Sequence, residues 1–214
     1  EAADVVVWKI RLPRILASVL VGAGLAVSGA VFQGILLNPL SDPYTLGISA
    51  GAAFGAAVAI VLAPGFSQVS IPLSAFAGAS ATLFVVIFLA GSGREGRGGL
   101  SSSNLILSGI MVSAILAAGI SFLKYLADEQ VSVIVFWLMG SLSRAEYGQI
   151  LAAGIPMVAG SAGLMVIRWR LNILAMGDKE AHSLGINVKL NRGLVIVCAT
   201  RATAGAVCFS GLIG

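Results

Sequence analysis

The chain has 214 residues, of which 58% are hydrophobic and 10% are charged, and its formal net charge is +4. Soluble domains carry about 25% charged residues, so this composition and the mean hydropathy of +1.00 exclude an ordinary soluble domain and indicate a protein embedded in lipid. The positive charge is small and no basic run is interleaved with aromatic residues, so no nucleic-acid partner is expected.

The apolar segments predict about six membrane spans and one short helix. A helix needs about 20 residues to cross the hydrocarbon core, and the segments near that length are Leu12–Leu37, Thr45–Leu62, Ile71–Ala90, Leu105–Leu126, Ile150–Ile167 and Leu194–Ile213. Val131–Gly140 is about half as long and predicts an interfacial or re-entrant helix. The predicted fold class is all-α, a polytopic transmembrane helical bundle.

Two of these spans carry small residues at every fourth position. The stripes consist of Gly22, Ala26, Ala30 and Gly34 in the first span, and of Gly47, Gly51 and Gly55 in the second. Residues four apart share a helix face, so each stripe predicts a surface where another helix backbone can approach closely.

Lysine and arginine are concentrated in alternate connections between the spans. Residues 38–44, 91–104 and 168–192 contain Arg94, Arg97, Arg168, Arg170, Lys179, Lys189 and Arg192, whereas the opposite connections contain only Lys124 and Arg144. The positive-inside rule therefore places the first set of connections in the cytoplasm. Lys9, Arg11 and Arg14 then fall outside, against the rule.

Two ordered blocks of residues resemble a known family. The first contains Leu12-Pro13-Arg14, Ser28-Gly29-Ala30, Gln33, Asn38-Pro39-Leu40, Pro43, Leu46-Gly47 and Gly51-Ala52; the second contains Gly177-Asp178, Ala181 and Leu184-Gly185-Ile186. Together they resemble the FecCD family, the permease subunits of bacterial ABC importers for ferric siderophores, haem and cobalamin. Two blocks about 140 residues apart are more specific than one short motif.

The resemblance implies the setting and the partners. It implies a multi-pass protein of the bacterial inner membrane that works with ATP-binding cassette ATPase subunits, a second permease copy, a periplasmic substrate-binding protein and the lipid bilayer. Members of the family have ten spans. Residues 1–214 are therefore expected to form a single transmembrane permease domain that corresponds to the second through seventh spans and is incomplete at both ends.

The connection Leu174–Lys189 contains a predicted short helix. Asp178 after Gly177 suits a helix start, and Gly185 suits a helix end. By itself this pattern also fits a solvated loop. The resemblance implies instead a coupling helix that enters a groove of the ATPase, formed by Gly177, Asp178, Ala181, Leu184, Gly185 and Ile186. Ala181 and Leu184 are three residues apart and are expected to share the face in that groove.

Arg11 and Arg14 flank the first predicted span. Arginines at this position commonly extend to lipid headgroups. The resemblance implies that they pair with acidic residues of the substrate-binding protein, a role that suits the planar guanidinium group.

Two polar connections are candidates for an inner gate. The resemblance places Asn38, Leu40, Ser102 and Ser103 near such a constriction. The same residue types also serve as ordinary turn and cap residues, with Asp42 or Ser103 as a helix N-cap, and both interpretations stay open.

Arg201 lies well inside the last predicted span, where an arginine is costly unless it faces protein, water or a partner. It departs from the apolar or small residues of the family and is a candidate contact for an anionic substrate, or it extends to the lipid surface.

No catalytic constellation is evident. The sequence lacks Gly-x-x-x-x-Gly-Lys-Ser/Thr, so ATP hydrolysis is expected in a separate subunit, and neither a cofactor nor a metal site is expected. His182 is in a charged loop, and Cys198 and Cys208 are too far apart on one helix for a disulfide. The alternative function is a secondary transporter or channel driven by an ion gradient. It would call for acidic residues inside the spans, and every Asp and Glu lies outside or at their ends.

Overall fold

The computed structural model describes residues 2–62, 70–92, 100–143 and 145–213. Within these ranges the chain is helical and contains no strand, which confirms the all-α class. The helices are α1 (Ala2–Val5), a π-helical turn (Val6–Arg11), α2 (Leu12–Leu36), α3 (Ile48–Leu62), α4 (Ser70–Gly91), α5 (Ser102–Leu126), a 3-10 turn (Asp128–Gln130), α6 (Val131–Met139), α7 (Tyr147–Val166), α8 (Arg168–Leu174), α9 (Asp178–Ser183) and α10 (Val188–Ser210).

In the part of the chain that the structure describes, five helical segments are long and apolar enough to cross a membrane, namely Val6–Leu36, α4, α5, α7 and α10. The remaining predicted span is the 15-residue helix α3, which begins at Ile48 instead of Thr45. The shortening has a local cause, because Leu37 and Gly47 both have positive φ angles, of 51° and 77°, and the chain between them is not helical.

The connection between α2 and α3 turns back into the bundle. A Cβ placed on Gly29 would lie 3.5 Å from Pro43 Cδ, and Gly29 is seven residues, or about 10 Å, before the end of α2. At Gly109 in α5 an added Cβ would lie 2.6 Å from the Thr45 carbonyl oxygen. Helix α3 therefore starts inside the bundle.

The contact between α3 and α4 brings two backbones together. A Cβ on Gly55 would lie 2.2 Å from the Ser74 carbonyl oxygen, and one on Gly78 would lie 2.3 Å from the Gly51 carbonyl oxygen. No larger residue fits these positions without separating the helices. The stripe predicted on the second span is confirmed as a packing surface.

The stripe predicted on the first span has a different environment. Gly22, Ala26 and Ala30 are exposed, and a Cβ on Gly22 would meet no atom within 4 Å. The buried face of α2 contains Gly24 and Ser28 instead. Gly34, the last member of the stripe, is half-buried, and a Cβ there would lie 3.9 Å from Ala175 Cβ. The expectation that this stripe packs against another helix stays a prediction for its three exposed members.

Helix α10 occupies the centre of the bundle. In its most apolar 18-residue stretch 67% of the residues are buried, against 33% or less in the other four spans. It packs on α2, α4 and α7, and a Cβ on Gly160 of α7 would lie 2.6 Å from the Cys198 carbonyl oxygen. It starts at Val188, six residues before the predicted Leu194, because Asn187 accepts a capping hydrogen bond from the Leu190 N–H at 3.1 Å.

The short helix predicted over Val131–Gly140 is confirmed as α6. It ends at Met139 because Gly140 adopts a φ of 65°. Ile134 is 1% exposed and belongs to a cluster with Ala57 and Ile60 of α3. The helix is therefore fixed to the bundle along one face.

Candidate coupling and gating site

Three connections meet at one end of the bundle. Ser102 Oγ donates to the Ile35 carbonyl oxygen at 3.3 Å, and Arg192 Nη1 donates to the Leu100 carbonyl oxygen at 2.6 Å. We call this end the α9 face and define it as residues 37–38, 100–103 and 176–187. The connections predicted to share one side do meet here. Arg94, Arg97 and Arg144, which also supported the orientation, lie outside the described residues.

Helix α9 is a single closed turn with a defined end. The Ala181 N–H donates to the Gly177 carbonyl oxygen at 3.0 Å. At the other end the Ile186 N–H donates to Ala181 O at 3.1 Å and the Gly185 N–H to His182 O at 3.0 Å. This pair of bonds with Gly185 at φ 76° is a Schellman motif. The predicted short helix is confirmed.

The start of α9 differs from the prediction. Gly177, with φ 120°, is the N-cap residue, and Asp178 is the first helical residue without a capping hydrogen bond. The Asp178 carboxylate instead binds the Arg192 guanidinium through two contacts, Nη1 to Oδ2 at 3.1 Å and Nη2 to Oδ1. Asp178 therefore joins α9 to α10.

Ala181 and Leu184 point in different directions. Ala181 is fully buried in the core of the chain, whereas Leu184 is 60% exposed. The expectation that both share one outward face is wrong, because α9 ends at Ser183 and Leu184 is already its C-cap residue. Spacing rules for a regular helix do not extend past that end. Ala181 and the buried Ile186 anchor α9, while Lys179, His182 and Leu184 face outward.

Arg192 is a site residue that the sequence pattern does not indicate. In the sequence it is one of several charges in a predicted connection, but it lies in α10 and is 1% exposed. No local signal distinguishes it, because its partners Asp178 and Leu100 are 14 and 92 residues away in the sequence.

Three of the gate candidates, Asn38, Ser102 and Ser103, belong to the α9 face, and Leu40 is two residues beyond Asn38. Asn38 Oδ1 accepts from the Leu40 N–H at 3.0 Å, and the Leu40 side chain is 88% exposed. Ser102 contacts the last turn of α2 through Ile35, and Ser103 is exposed. This geometry brings the two connections together, while their role in gating stays a prediction.

The expected caps are placed differently. Ser101, not Ser103, is the N-cap of α5, since its Oγ accepts from the Asn104 N–H at 3.2 Å. Asp42 Oδ1 accepts from the Tyr44 N–H at 2.9 Å in a turn that precedes non-helical residues. Asp42 is therefore a turn residue.

Arg11 and Arg14 are at the opposite end of α2 from the α9 face, and both side chains are exposed. Arg14 Nη2 donates to the Ser143 carbonyl oxygen at 3.3 Å, and Tyr147 Oη donates to the Trp8 carbonyl oxygen at 2.7 Å. The loop before α7 therefore packs on the start of the first span and presents both arginines.

Arg201 is exposed at mid-length of α10. It lines a cavity of about 280 Å³ between α4 and α10, together with Phe76, Ser80 and Thr200. The Thr200 hydroxyl is buried without a hydrogen-bond partner in the described part of the chain. The structure places Arg201 away from the α9 face.

Metal ligation and disulfide formation find no support in the described ranges. His182 is exposed, and no group of three or more His, Cys, Asp or Glu is close enough to hold a metal ion there. Cys198 and Cys208 are free thiols, as their spacing on one helix predicted.

Comparison with known proteins defines the class. The FecCD transport family matches residues 1–214, and the chain belongs to this family. A solved structure, described as "An inward-facing conformation of a putative metal-chelate type ABC transporter", superposes with a TM-score of 0.89 at 37% identity. The match covers 99% of this chain and 66% of that one.

Curated relatives agree with this assignment. The chain is 40% identical over 214 residues to the cobalamin import system permease protein BtuC of Halobacterium salinarum, covering 100% of this chain and 57% of the relative. It is 43% identical over 215 residues to a protein of Helicobacter pylori named "Probable iron chelatin transport system permease protein", covering 100% of this chain and 63% of the relative. The chain thus spans about three fifths of the length of these relatives.

Proposed function

We propose that this chain is part of the membrane-spanning permease of an ABC importer. The importer passes an iron chelate, haem or cobalamin across the bacterial inner membrane, and a separate ATPase subunit supplies the energy. Membership of the FecCD family supports this proposal, as do relatives named for cobalamin and iron chelatin transport.

The observation that carries the proposal is the construction of α9. The helix presents Lys179, His182 and Leu184 outward, while Ala181 and Ile186 hold it in the core and Asp178 binds Arg192. A short helix held at three points moves as a body with the helices beneath it. This is the mechanical requirement for a contact with a moving ATPase.

The other site residues complete the proposed cycle. Arg11 and Arg14 form the docking surface for the acidic residues of a substrate-binding protein. Asn38, Leu40, Ser102 and Ser103 form the inner constriction, and Arg201 contacts anionic groups of the cargo. The exposed small residues of α2 allow a second permease copy to approach closely, so that the cargo passes between two copies.

An uptake experiment distinguishes this function from the ion-driven alternative. The full-length permease is reconstituted in vesicles with its ATPase subunits and substrate-binding protein, and uptake of radiolabelled cobalamin, haem and ferric siderophore is measured. We expect uptake of one cargo to require Mg-ATP at the ATPase and to persist when ionophores collapse all ion gradients. Uptake that depends on an ion gradient and does not depend on ATP would refute the proposal.

The contact with the ATPase has its own test. We expect Leu184→Asp in the full-length permease to reduce copurification of the ATPase, because it places a charge in an apolar contact. Tyr125→Asp is the matched control, since Tyr125 is 82% exposed at the other end of the bundle. Equal copurification of both variants would remove α9 from the ATPase interface.

A further inference from the structure

Arg192 is a buried cation with a specific set of partners. It lies in the second turn of α10, is 1% exposed, and donates through Nη1 to the Leu100 carbonyl oxygen at 2.6 Å. The same guanidinium binds both carboxylate oxygens of Asp178. A planar guanidinium group can serve a carboxylate and a carbonyl oxygen together, whereas a lysine ammonium acts as a point charge.

Loss of the ion pair would cost Arg192 more free energy than Asp178. The Asp178 side chain is 51% exposed and can be hydrated, whereas the Arg192 side chain is enclosed. A buried cation is costly without its counter-ion, so separation of the pair penalises Arg192 far more than Asp178. The favourable state therefore keeps the first turn of α9 against α10.

The Leu100 bond extends this connection to α5. Leu100 directly precedes Ser101, which caps α5. The next residue, Ser102, donates a hydrogen bond to the Ile35 carbonyl oxygen at the end of α2. Arg192 therefore joins α9, α10 and the start of α5 at one guanidinium group. If α9 moved alone, the contacts between Asp178 and Arg192 would break, and the Arg192 guanidinium would stay buried with only the Leu100 carbonyl oxygen as its partner.

From these contacts we propose that Arg192 is a positioning residue that transmits displacement of α9 to the N-terminus of α5, next to the gate candidates Ser102 and Ser103. This inference rests on the proposed function, because it assumes that an ATPase moves α9. Arg192 does not touch the cargo or the nucleotide. It fixes the distance between the driven helix and the gate.

Spin labels on the full-length complex test this transmission. In one sample a spin label at the exposed position of Lys179 reports on α9. In a separate sample a spin label at the exposed position of Ser103 reports on α5. Spectra are compared in the nucleotide-free and ATP-vanadate states. In the labelled protein with Arg192 in place, we expect the spectra of both labels to change between the two nucleotide states. In Arg192→Met, which keeps the volume and removes the charge, we expect Lys179 to respond and Ser103 to lose its response.

Asp178→Asn and Arg170→Met complete the set of variants. Asp178→Asn breaks the link from the exposed side without leaving a cavity, so the Ser103 response is expected to fall as well. Arg170→Met is the matched control, because Arg170 Nη1 binds Asn191 Oδ1 at 2.9 Å beside Arg192 but joins only α8 to α10. It should leave both responses intact. Transport per ATP hydrolysed should fall about tenfold in the two link variants, within the usual range of coupling between sites.

The outcomes separate the two proposals. An undiminished Ser103 response in an assembled Arg192→Met or Asp178→Asn complex overturns the link alone. Loss of the Ser103 response in Arg170→Met also overturns it, since any loosening of this end would then suffice. Absence of an ATP response at Lys179 in the complex without these substitutions refutes α9 as the ATPase contact and overturns the link through Arg192, whereas the proposed function is refuted only by uptake that does not require ATP.

Discussion

The stripes of small residues on α2 and α3 have the same sequence pattern and opposite environments. On α3 the stripe closes on α4 so tightly that backbone atoms replace side chains in the contact. On α2 three of the four stripe residues, Gly22, Ala26 and Ala30, are exposed, and Gly24 and Ser28 on another face make the buried contacts. A four-residue repeat of small residues therefore encodes a smooth surface, not the identity of what covers it.

The largest expected loss of stability is at the stripe of small residues on α3, which packs against α4. Gly55→Ala places a Cβ 2.2 Å from the Ser74 carbonyl oxygen, and this neighbour is backbone, which cannot give way as the end of a flexible side chain can. We expect a loss of about 2–3 kcal/mol or more in stability, visible as a strongly lowered melting temperature in detergent. A melting temperature equal to that of the parent protein would show that the two helices are farther apart than described.

The second effect concerns the open stripe in the assembled transporter. Ala26→Leu should not disturb packing within the chain, because Ala26 is exposed. If a second permease copy packs there, the added side chain should weaken the assembly by about 1–3 kcal/mol, measured as the fraction of two-permease complex after size exclusion. The same fraction as in the parent protein would assign this stripe to lipid.

A smaller effect is expected on the buried face of α2. Gly24→Ala places a Cβ 2.8 Å from Met157 Cε, the end of a flexible side chain. Met157 can shift, so we expect a cost of about 1 kcal/mol or less, measured by thermal melting beside Gly55→Ala. A cost as large as that of Gly55→Ala would contradict the distinction between backbone and side-chain neighbours.

The smallest effect is expected at Gly22, the open counterpart of Gly55. A Cβ there meets no atom within 4 Å, and alanine favours a helix over glycine by up to about 1 kcal/mol. Gly22→Ala should therefore leave the melting temperature unchanged or raise it slightly. A clear decrease would mean that the open stripe is covered within the isolated protein.

Much of the candidate site was predictable where the chemistry is local. Gly185 marked the end of α9, because a positive φ angle is accessible to glycine, and the structure has φ 76° there. The start was predicted one residue late, since Gly177 and not Asp178 is the N-cap residue. The outward face of α9 was not predictable. Its length of six residues places Leu184 beyond the last helical residue, so the spacing from Ala181 carried no directional information.

The sequence by itself determined the all-α class, the approximate bounds of the spans and the short helices α6 and α9, because apolar length, caps and glycine conformation depend on residues a few positions apart. Only the tertiary structure decided which small-residue stripe packs on a neighbouring helix within the chain and that Arg192 is buried. These features depend on contacts between distant segments, such as the bond from Arg192 to Leu100 across 92 residues. Burial of a side chain is a property of the assembled helices, and no local pattern specifies it.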